Sequence, residues 1–207
     1  MTLRVGILAY QKVEVLDLAG PFEVFSTANR VASRRTPGKP APFSVWVVAE
    51  GAGPVRARGG LTLLPDFTTA NHPPLDVLLV PGGVHEPQLE NPGLIAWIAR
   101  QGLAAELVAS VCTGAFLLAR AGLLAGVEVT THFEDCADLR RAFPDLRVLE
   151  GVRWVERGRI LTSAGISAGV DMSLRIVARL AGQDLAERTA RQMDYEWRQR
   201  ADAGQEK

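Results

Sequence analysis

The sequence is poor in the features that define several function classes. It holds two cysteines, Cys112 and Cys136, far apart in the chain, which argues against the disulfide framework of a small secreted scaffold and leaves each thiol to be read separately. It has no excess of either charge, with 23 Lys plus Arg against 23 Asp plus Glu. The summed field therefore offers no general attraction to phosphate backbones or acidic membranes, and neither nucleic acid nor a membrane is an expected partner. No apolar stretch is long enough to span a bilayer. The N-terminal run Met1–Tyr10 carries Arg4 and is followed by no small-residue cleavage site, so it reads as a strand rather than an export signal, and a cytoplasmic location is expected. There is no internal repeat and no low-complexity block. His72 and His85 lie in Pro-rich or turn segments, no His/Cys/Asp spacing suggests a metal, and no cofactor is expected.

What is present is material for a large core. The chain has 207 residues, 47% of them apolar and 22% charged, a balance that suits one water-soluble domain. A single domain over 1–198 with a polar tail over 199–207 is the expected organisation. Short, nearly continuous apolar runs at Leu3–Ala9, Phe43–Ala49, Asp76–Val80 and Glu106–Val111 read as strands buried on both faces. Helical spacing falls between and after them, at Pro21–Val31, Pro92–Gly102 and Gly114–Leu124. That alternation predicts an α/β fold with a mostly parallel sheet and helices on both faces. Arg34–Pro42 reads as a surface loop. Arg147–Glu150, Arg153–Glu156 and Arg159–Ser163 read as short strands of an edge or subsidiary sheet, with a hairpin turn at Glu156–Arg159. Two further helices are expected over Gly169–Leu180 and Asp184–Trp197, with Asp184 as the N-cap of the second.

Cys112 stands at the junction between the strand ending SV and the helix opening GAF. Ser110 and Gly114 flank it as S-x-C-x-G, a thiol counterpart of the nucleophile elbow, in which small neighbours let the backbone turn tightly. At such a junction the sulfur lies near a helix N-terminus, whose free N–H groups favour thiolate over thiol. The alternative is a small buried core residue. Cys136, in helical surroundings with no elbow, reads as an inert buried or half-buried thiol.

Two other loops follow strands in the same way. Pro81-Gly82-Gly83 can present backbone N–H groups near a neighbouring strand end, and with the N–H of Thr113 would form an anion-stabilising pocket beside Cys112; it can also be a plain turn. Asp17, in VLDLAGP, precedes a helix that opens at Gly20-Pro21 and reads equally as a helix cap or as a partly dehydrated acid with a raised pKa that shuttles a proton.

LDLAGPFEVF, LLVPGGV, SVCTGAFLLARAGLLAG, VTTHF and ILTSAGISAGVDMSLRIV, in this order over Leu3 to Gly182, resemble the DJ-1/PfpI superfamily. The resemblance implies a flavodoxin-like three-layer sandwich, a homodimer, and a cysteine at the elbow with an acidic partner from the first loop, roles that fall on Cys112 and Asp17. Asp in this motif together with Cys-Thr-Gly is similar to the isocyanide hydratases and to the amidase-like sensor domain of AraC-type regulators. The protease-like branch has His after its cysteine where this chain has Thr113, so proteolysis is not expected. His132 could approach the site or serve structure. Ala164 and Ile166 fall on the stretch that packs by the cysteine helix, where they either shape the pocket or only pack. Phe22, Val84, His85 and Phe133 are pocket positions by the same analogy. Trp154 and Trp197 read as core or dimer-contact aromatics.

The expected function is thus a cofactor-free, cysteine-dependent small-molecule enzyme of the isocyanide hydratase type. A non-catalytic metabolite or redox sensor, and a glyoxalase- or deglycase-type activity on reactive carbonyls, are the alternatives. No separate DNA-binding extension is expected after the α/β domain, and direct regulation of DNA is not the expected function.

Overall fold

Short apolar runs become strands in this protein because helices cover both faces of the sheet they form. The computed structural model describes residues 1–199, so the expected polar tail lies outside the described residues from 200 onward. Among the described residues the strands are β1 (Leu3–Ala9), β2 (Phe43–Ala49), β3 (Val55–Arg56), β4 (Thr62–Leu63), β5 (Phe67–Thr68), β6 (Val77–Val80), β7 (Leu107–Val111), β8 (Glu128–Val129), β9 (Arg147–Val148), β10 (Trp154–Arg157) and β11 (Ile160–Ser163). The helices are α1 (Val15–Arg35), α2 (Glu86–Leu89), α3 (Pro92–Ala104), α4 (Gly114–Arg120), α5 (Cys136–Ala142), α6 (Ala168–Ala181) and α7 (Gln183–Gln192).

The main sheet has seven strands in the order β10-β11-β7-β6-β1-β2-β5. Every neighbouring pair is parallel except β10 with β11. Helices α1, α6 and α7 pack together, as do α2, α3 and α4, giving the α/β sandwich with a mostly parallel sheet that the strand–helix alternation predicts. All residues of β6 and β7 are buried, which is why their sequences read as unbroken apolar runs. The sheet order turns at β1 and β6: the chain goes from β1 outward to β2, then crosses to β6 and β7 on the other side. Ligands collect outside the carboxyl ends of strands at such a switch point.

The structure moves several boundaries. Helix α1 begins at Val15, six residues before Pro21, so Asp17 lies inside its first turn and Glu14 is the N-cap residue. Pro21 sits within the helix rather than at its start; its missing N–H leaves the carbonyl of Asp17 without the usual i to i−4 partner. Helix α4 stops at Arg120, short of the expected Leu124. The last helix ends at Gln192, not Trp197, and Gly182 rather than Asp184 is its cap; Asp194, at φ +51°, turns the chain back. Trp197 then donates its indole N–H to the carbonyl of Asp171 at 3.1 Å, and Trp154 is buried in the core. The expected subsidiary strands divide: β9 pairs with β8 in a separate small sheet, while the β10–β11 hairpin completes the edge of the main one.

Gly114 is where this fold tolerates least. A Cβ there would lie 2.0 Å from the carbonyl oxygen of Val80 and 2.9 Å from that of Pro81, backbone atoms that cannot move without displacing β6. Gly114→Ala is expected to lower the free energy of unfolding by roughly 3 kcal/mol or more in urea titration. Gly53→Ala, into open space, is expected to stay within about 0.5 kcal/mol. Similar values for the two would contradict this packing.

Candidate active site

The loops that follow β1, β6 and β7 meet at the carboxyl edge of the sheet, the first two laced together through their backbones and the third joined to them through the Thr113 side chain. Glu14 N–H donates to the carbonyl of Gly82 at 2.9 Å, and Val84 N–H to that of Lys12 at 3.0 Å. The buried Tyr10 hydroxyl donates to the carbonyl of Pro81 at 3.0 Å. This lacing brings Asp17, Gly82, Thr113 and Cys112 together. A Cβ on Gly82 would lie 2.7 Å from Asp17 Oδ2, from Thr113 N and from Thr113 Oγ1, so its lack of a side chain is what lets the three loops close.

Cys112 has φ +55°, an uncommon left-handed conformation for a residue with a side chain. It is pinned on both sides: its N–H donates to the carbonyl of Ser163 at 3.0 Å, and its carbonyl accepts the Thr131 hydroxyl at 2.8 Å. The strain fits the sharp elbow expected from S-x-C-x-G. The electrostatics do not fit a ready-made thiolate. Burial, then the negative charges of Asp17 and Asp135, push the thiol up, and the N–H of Thr113 offsets only part of this. The expected thiolate-stabilising effect of the helix start is outweighed.

Asp17 is fully buried. Its Oδ2 accepts the Gly82 N–H at 3.2 Å, while Oδ1 has no hydrogen-bond partner. Burial first, and the nearby Glu14 carboxylate second, raise its pKa from 3.8 to about 7, with Gly82 N–H and the Cys112 thiol pulling the other way. Carboxyl and thiol therefore form a coupled pair in which the carboxyl ionises first, leaving Asp17 as the base and Cys112 as the proton holder.

The glycine loop is arranged differently from a pair of free donors. Gly82 N–H is engaged by Asp17, and Gly83 N–H donates to Thr113 Oγ1 at 3.0 Å, with the hydroxyl returning a bond to the Gly83 carbonyl at 3.1 Å. Gly82 and Gly83 thus hold Asp17 and Thr113 in place, and Thr113 N–H is the donor that acts on the sulfur.

A cavity of about 260 Å³ opens above Cys112. Of the expected positions, Gly83, Val84, His85, Thr113, His132 and Ile166 line it. Ala164, half-buried, is outside the lining, as are half-buried Phe22 and Phe133, which is 75% exposed. Phe133 turns outward because it opens a short 3₁₀ turn (Phe133–Asp135) after His132. The His132 ring approaches the site instead, with Nδ1 3.4 Å from Asp135 Oδ2. Cys136 is buried, with Sγ 3.5 Å from the carbonyl of His132.

Sequence reading missed Glu14, Asp135 and above all Gly165. A Cβ on Gly165 would lie 2.2 Å from His132 Cδ2 and 3.1 Å from Cys112 Sγ, so this glycine forms the surface between sulfur and imidazole. Its signal was the small-residue run SAGISAG, a mark of close backbone approach. Among the described residues no group of three or more His, Cys, Asp or Glu is placed to hold a metal ion, and no helix is long and apolar enough to cross a membrane.

The sequence profile of the DJ-1/PfpI family matches residues 3–179. The isonitrile hydratase of Pseudomonas putida is 34% identical over 94% of this chain and 79% of its own length. The HTH-type transcriptional regulator GbdR of Pseudomonas aeruginosa is 29% identical over 93% of this chain, which spans 50% of the regulator. A crystal structure of a ThiJ/PfpI family protein from Pseudomonas syringae superposes with a TM-score of 0.83 at 28% identity, covering 99% of this chain and 80% of that one.

The raised pKa of Asp17 has a sign that calorimetry can read. Between 3.8 and about 7 the folded protein holds a proton that the unfolded chain has released, so stability contributed by neutral Asp17 is present at low pH and lost as pH climbs to about 7. Asp17→Asn removes that loss. Its Tm at pH 8 is expected above that of the parent by about 2–4 °C for each kcal/mol recovered, with the advantage shrinking toward pH 5. A pH-independent difference would contradict the raised value.

Proposed function

Because the chain belongs to the DJ-1/PfpI family, we propose that it is a cofactor-free, cysteine-dependent enzyme that hydrates isonitriles (isocyanides) to N-formamides. The observation that carries this reading is the fully buried Asp17 carboxyl, one oxygen unpartnered, coupled to a cysteine held at φ +55°. Such a pair can move one proton between oxygen and sulfur without a charge entering from solvent.

In this mechanism the isonitrile carbon approaches Cys112 Sγ. The S–C bond forms as Asp17 accepts the thiol proton and passes it to the same carbon, giving an S-linked thioimidate, R–N=CH–S–Cys112. Water then adds to that carbon, with Asp17 taking a water proton. Protonation of nitrogen and cleavage of the C–S bond release R–NH–CHO, and the sulfur regains its proton. Isonitrile and water are consumed, the formamide is released, and no oxidant or reductant is required. Thr113 N–H steadies the sulfur while it carries charge. Gly82 and Gly83 orient Asp17 and Thr113, and His132, Val84 and Ile166 shape the space above the thiol. Thr113, tied to the loop at Gly83, stands where a peptide-hydrolysing relative would need a histidine.

The regulators among the relatives, at 29% identity for GbdR, favour a second reading: the same pocket binds a metabolite and reports it without turnover. Chemistry on reactive carbonyls is a third, since it too needs an activated thiol and an acid. The first reading includes a homodimer, as the family resemblance implies, and a cytoplasmic setting in which both thiols stay reduced.

The test is to incubate the purified protein with methyl isonitrile and follow N-methylformamide by NMR. Turnover is expected, with kcat/KM rising with pH through about 7 as Asp17 becomes the base. Cys112→Ala is expected to abolish it. Asp17→Asn is expected to lower kcat/KM by about 10²–10⁴ and to remove the rising limb. Turnover that survives Cys112→Ala would end the covalent mechanism. Binding without turnover would favour the sensor, and turnover of methylglyoxal alone the carbonyl reading.

A further inference from the structure

Among the described residues Arg58 is the one lysine or arginine that lines the cavity over Cys112, and no step of the hydration uses it. Its place is fixed by backbone. It stands on the turn between β3 and β4, which pair antiparallel as a hairpin. The preceding Ala57 is buried, and its N–H donates to the carbonyl of Leu61 at 2.8 Å. The hairpin is tied to the loop after β1: Lys12 N–H donates to the carbonyl of Arg56 at 2.8 Å, and Arg58 N–H to that of Val13 at 3.0 Å. That loop runs on into Glu14 and Asp17, so the segment that carries the base also anchors this cation.

The guanidinium of Arg58 is uncommitted. Elsewhere arginines meet carboxylates, as Arg4 meets Asp76 at 2.9 Å and Arg175 meets Glu156 at 2.7 Å. Among the described residues the exposed Arg58 side chain has no ion pair and no hydrogen bond. Glu14, which also lines the cavity, accepts Val15 N–H on Oε1 at 3.2 Å as the N-cap of α1, where the helix start compensates its charge. The other carboxylates of the lining have histidine neighbours: Glu86 lies 4.0 Å from His85, and Glu134 and Asp135 lie 3.8 and 3.4 Å from His132. The cavity therefore offers one free cation, with acids placed elsewhere around it.

A guanidinium keeps its charge at any physiological pH and presents a planar fork of N–H donors that fits a carboxylate in two parallel bonds. An anionic group in this cavity is drawn to Arg58 and repelled by Glu86, Glu134 and Asp135, so it settles at one place only. One guanidinium balances one negative charge; a phosphate dianion would leave an excess facing those acids. Resting on the reading of Cys112 as the nucleophile, the geometry points to Arg58 as a specificity-determining residue that binds a carboxylate on the substrate, and to short carboxylate-bearing electrophiles as the substrate class. In the hydratase reaction this is an isonitrile whose nitrogen substituent carries the carboxylate; the isonitrile group itself is uncharged and reacts with the thiol as before.

The first arm of the test needs no turnover. Cys112 is alkylated with iodoacetate and with iodoacetamide, reagents of nearly equal size that differ in charge, and each rate is followed by peptide mass spectrometry. The iodoacetate-to-iodoacetamide ratio, normalised to that of N-acetylcysteine, is expected to fall about fivefold in Arg58→Gln and further in Arg58→Glu. A change in thiol reactivity at large moves both rates together and cancels in the ratio. Sodium chloride at about 1 M is expected to bring the parent's ratio toward that of Arg58→Gln. The side chain is exposed, so neither substitution loads the core.

The second arm compares hydration of isocyanoacetate with that of isocyanoacetamide. The acid is expected to have the lower KM by about fivefold, and Arg58→Gln to erase the difference. An alkylation ratio that both Arg58 variants leave unchanged overturns the proposal, whatever is turned over. Hydration of both isonitriles with equal KM in the parent also overturns it, and leaves the hydratase reading intact. Alkylation selectivity that depends on Arg58, with neither isonitrile hydrated, ends the hydratase reading and supports the carboxylate site.

Discussion

The protein is organised around one unfavourable act, the complete burial of a carboxyl group beside a thiol. Neither group has a basic side chain as partner; Asp17 is met by a single backbone N–H from Gly82 and by Cys112 itself. Burying an ionised carboxylate without full pairing costs free energy, and a raised pKa is the usual response. Much of the local structure serves to hold that pair in place. Three loops are stitched by backbone hydrogen bonds and by the Thr113 hydroxyl, and glycines stand where side chains would force the strand ends apart.

The chemistry available follows from which group keeps the proton. A low-pKa cysteine would be a standing thiolate, open to any oxidant or electrophile in solution. Here burial and the neighbouring carboxylates keep sulfur protonated at neutral pH, with Asp17 poised near neutrality to take the proton. In the proposed mechanism the nucleophile is generated as bond formation begins, which suits a small uncharged electrophile better than a peptide needing a separate acid for its leaving group. A small cavity walled by His132, Ile166 and His85 is consistent with that.

A second buried charge stabilises the ground next to the first. Asp171, fully buried in the first turn of α6, pairs with Arg153 at 2.5 Å and accepts the backbone N–H of Arg198 at 3.0 Å. Arg153 also accepts the N–H of Ala164 on its carbonyl at 2.8 Å. Unlike Asp17, Asp171 is satisfied from several directions, the condition under which a buried ion pair is tolerated. It fastens β10, the start of α6 and the returning C-terminal segment on either side of Gly165, whose backbone faces the sulfur.

The sequence by itself determined the strands of the sheet other than β5, their order along the chain and the cysteine elbow, because these depend on local patterns: unbroken apolar runs, helical spacing, and small residues around Cys112. It also pointed to Asp17 as a partner of the thiol through motif resemblance, and to the Thr113 N–H through its place at the turn. It misplaced the start of α1 because Pro21 is a familiar helix opener, whereas packing of the helix carries it through the proline from Val15. Only the tertiary structure decided the protonation order of Asp17 and Cys112, since burial and the position of Glu14 are properties of the folded assembly. It also decided that Gly83 N–H is spent on Thr113 and that Phe133 faces solvent while His132 faces the site. Finally, it placed Gly165 against the sulfur. Those outcomes depend on which loops meet at the sheet edge, and residues from β1, β6, β7 and β11 that are far apart in the chain have no local pattern that announces their contact.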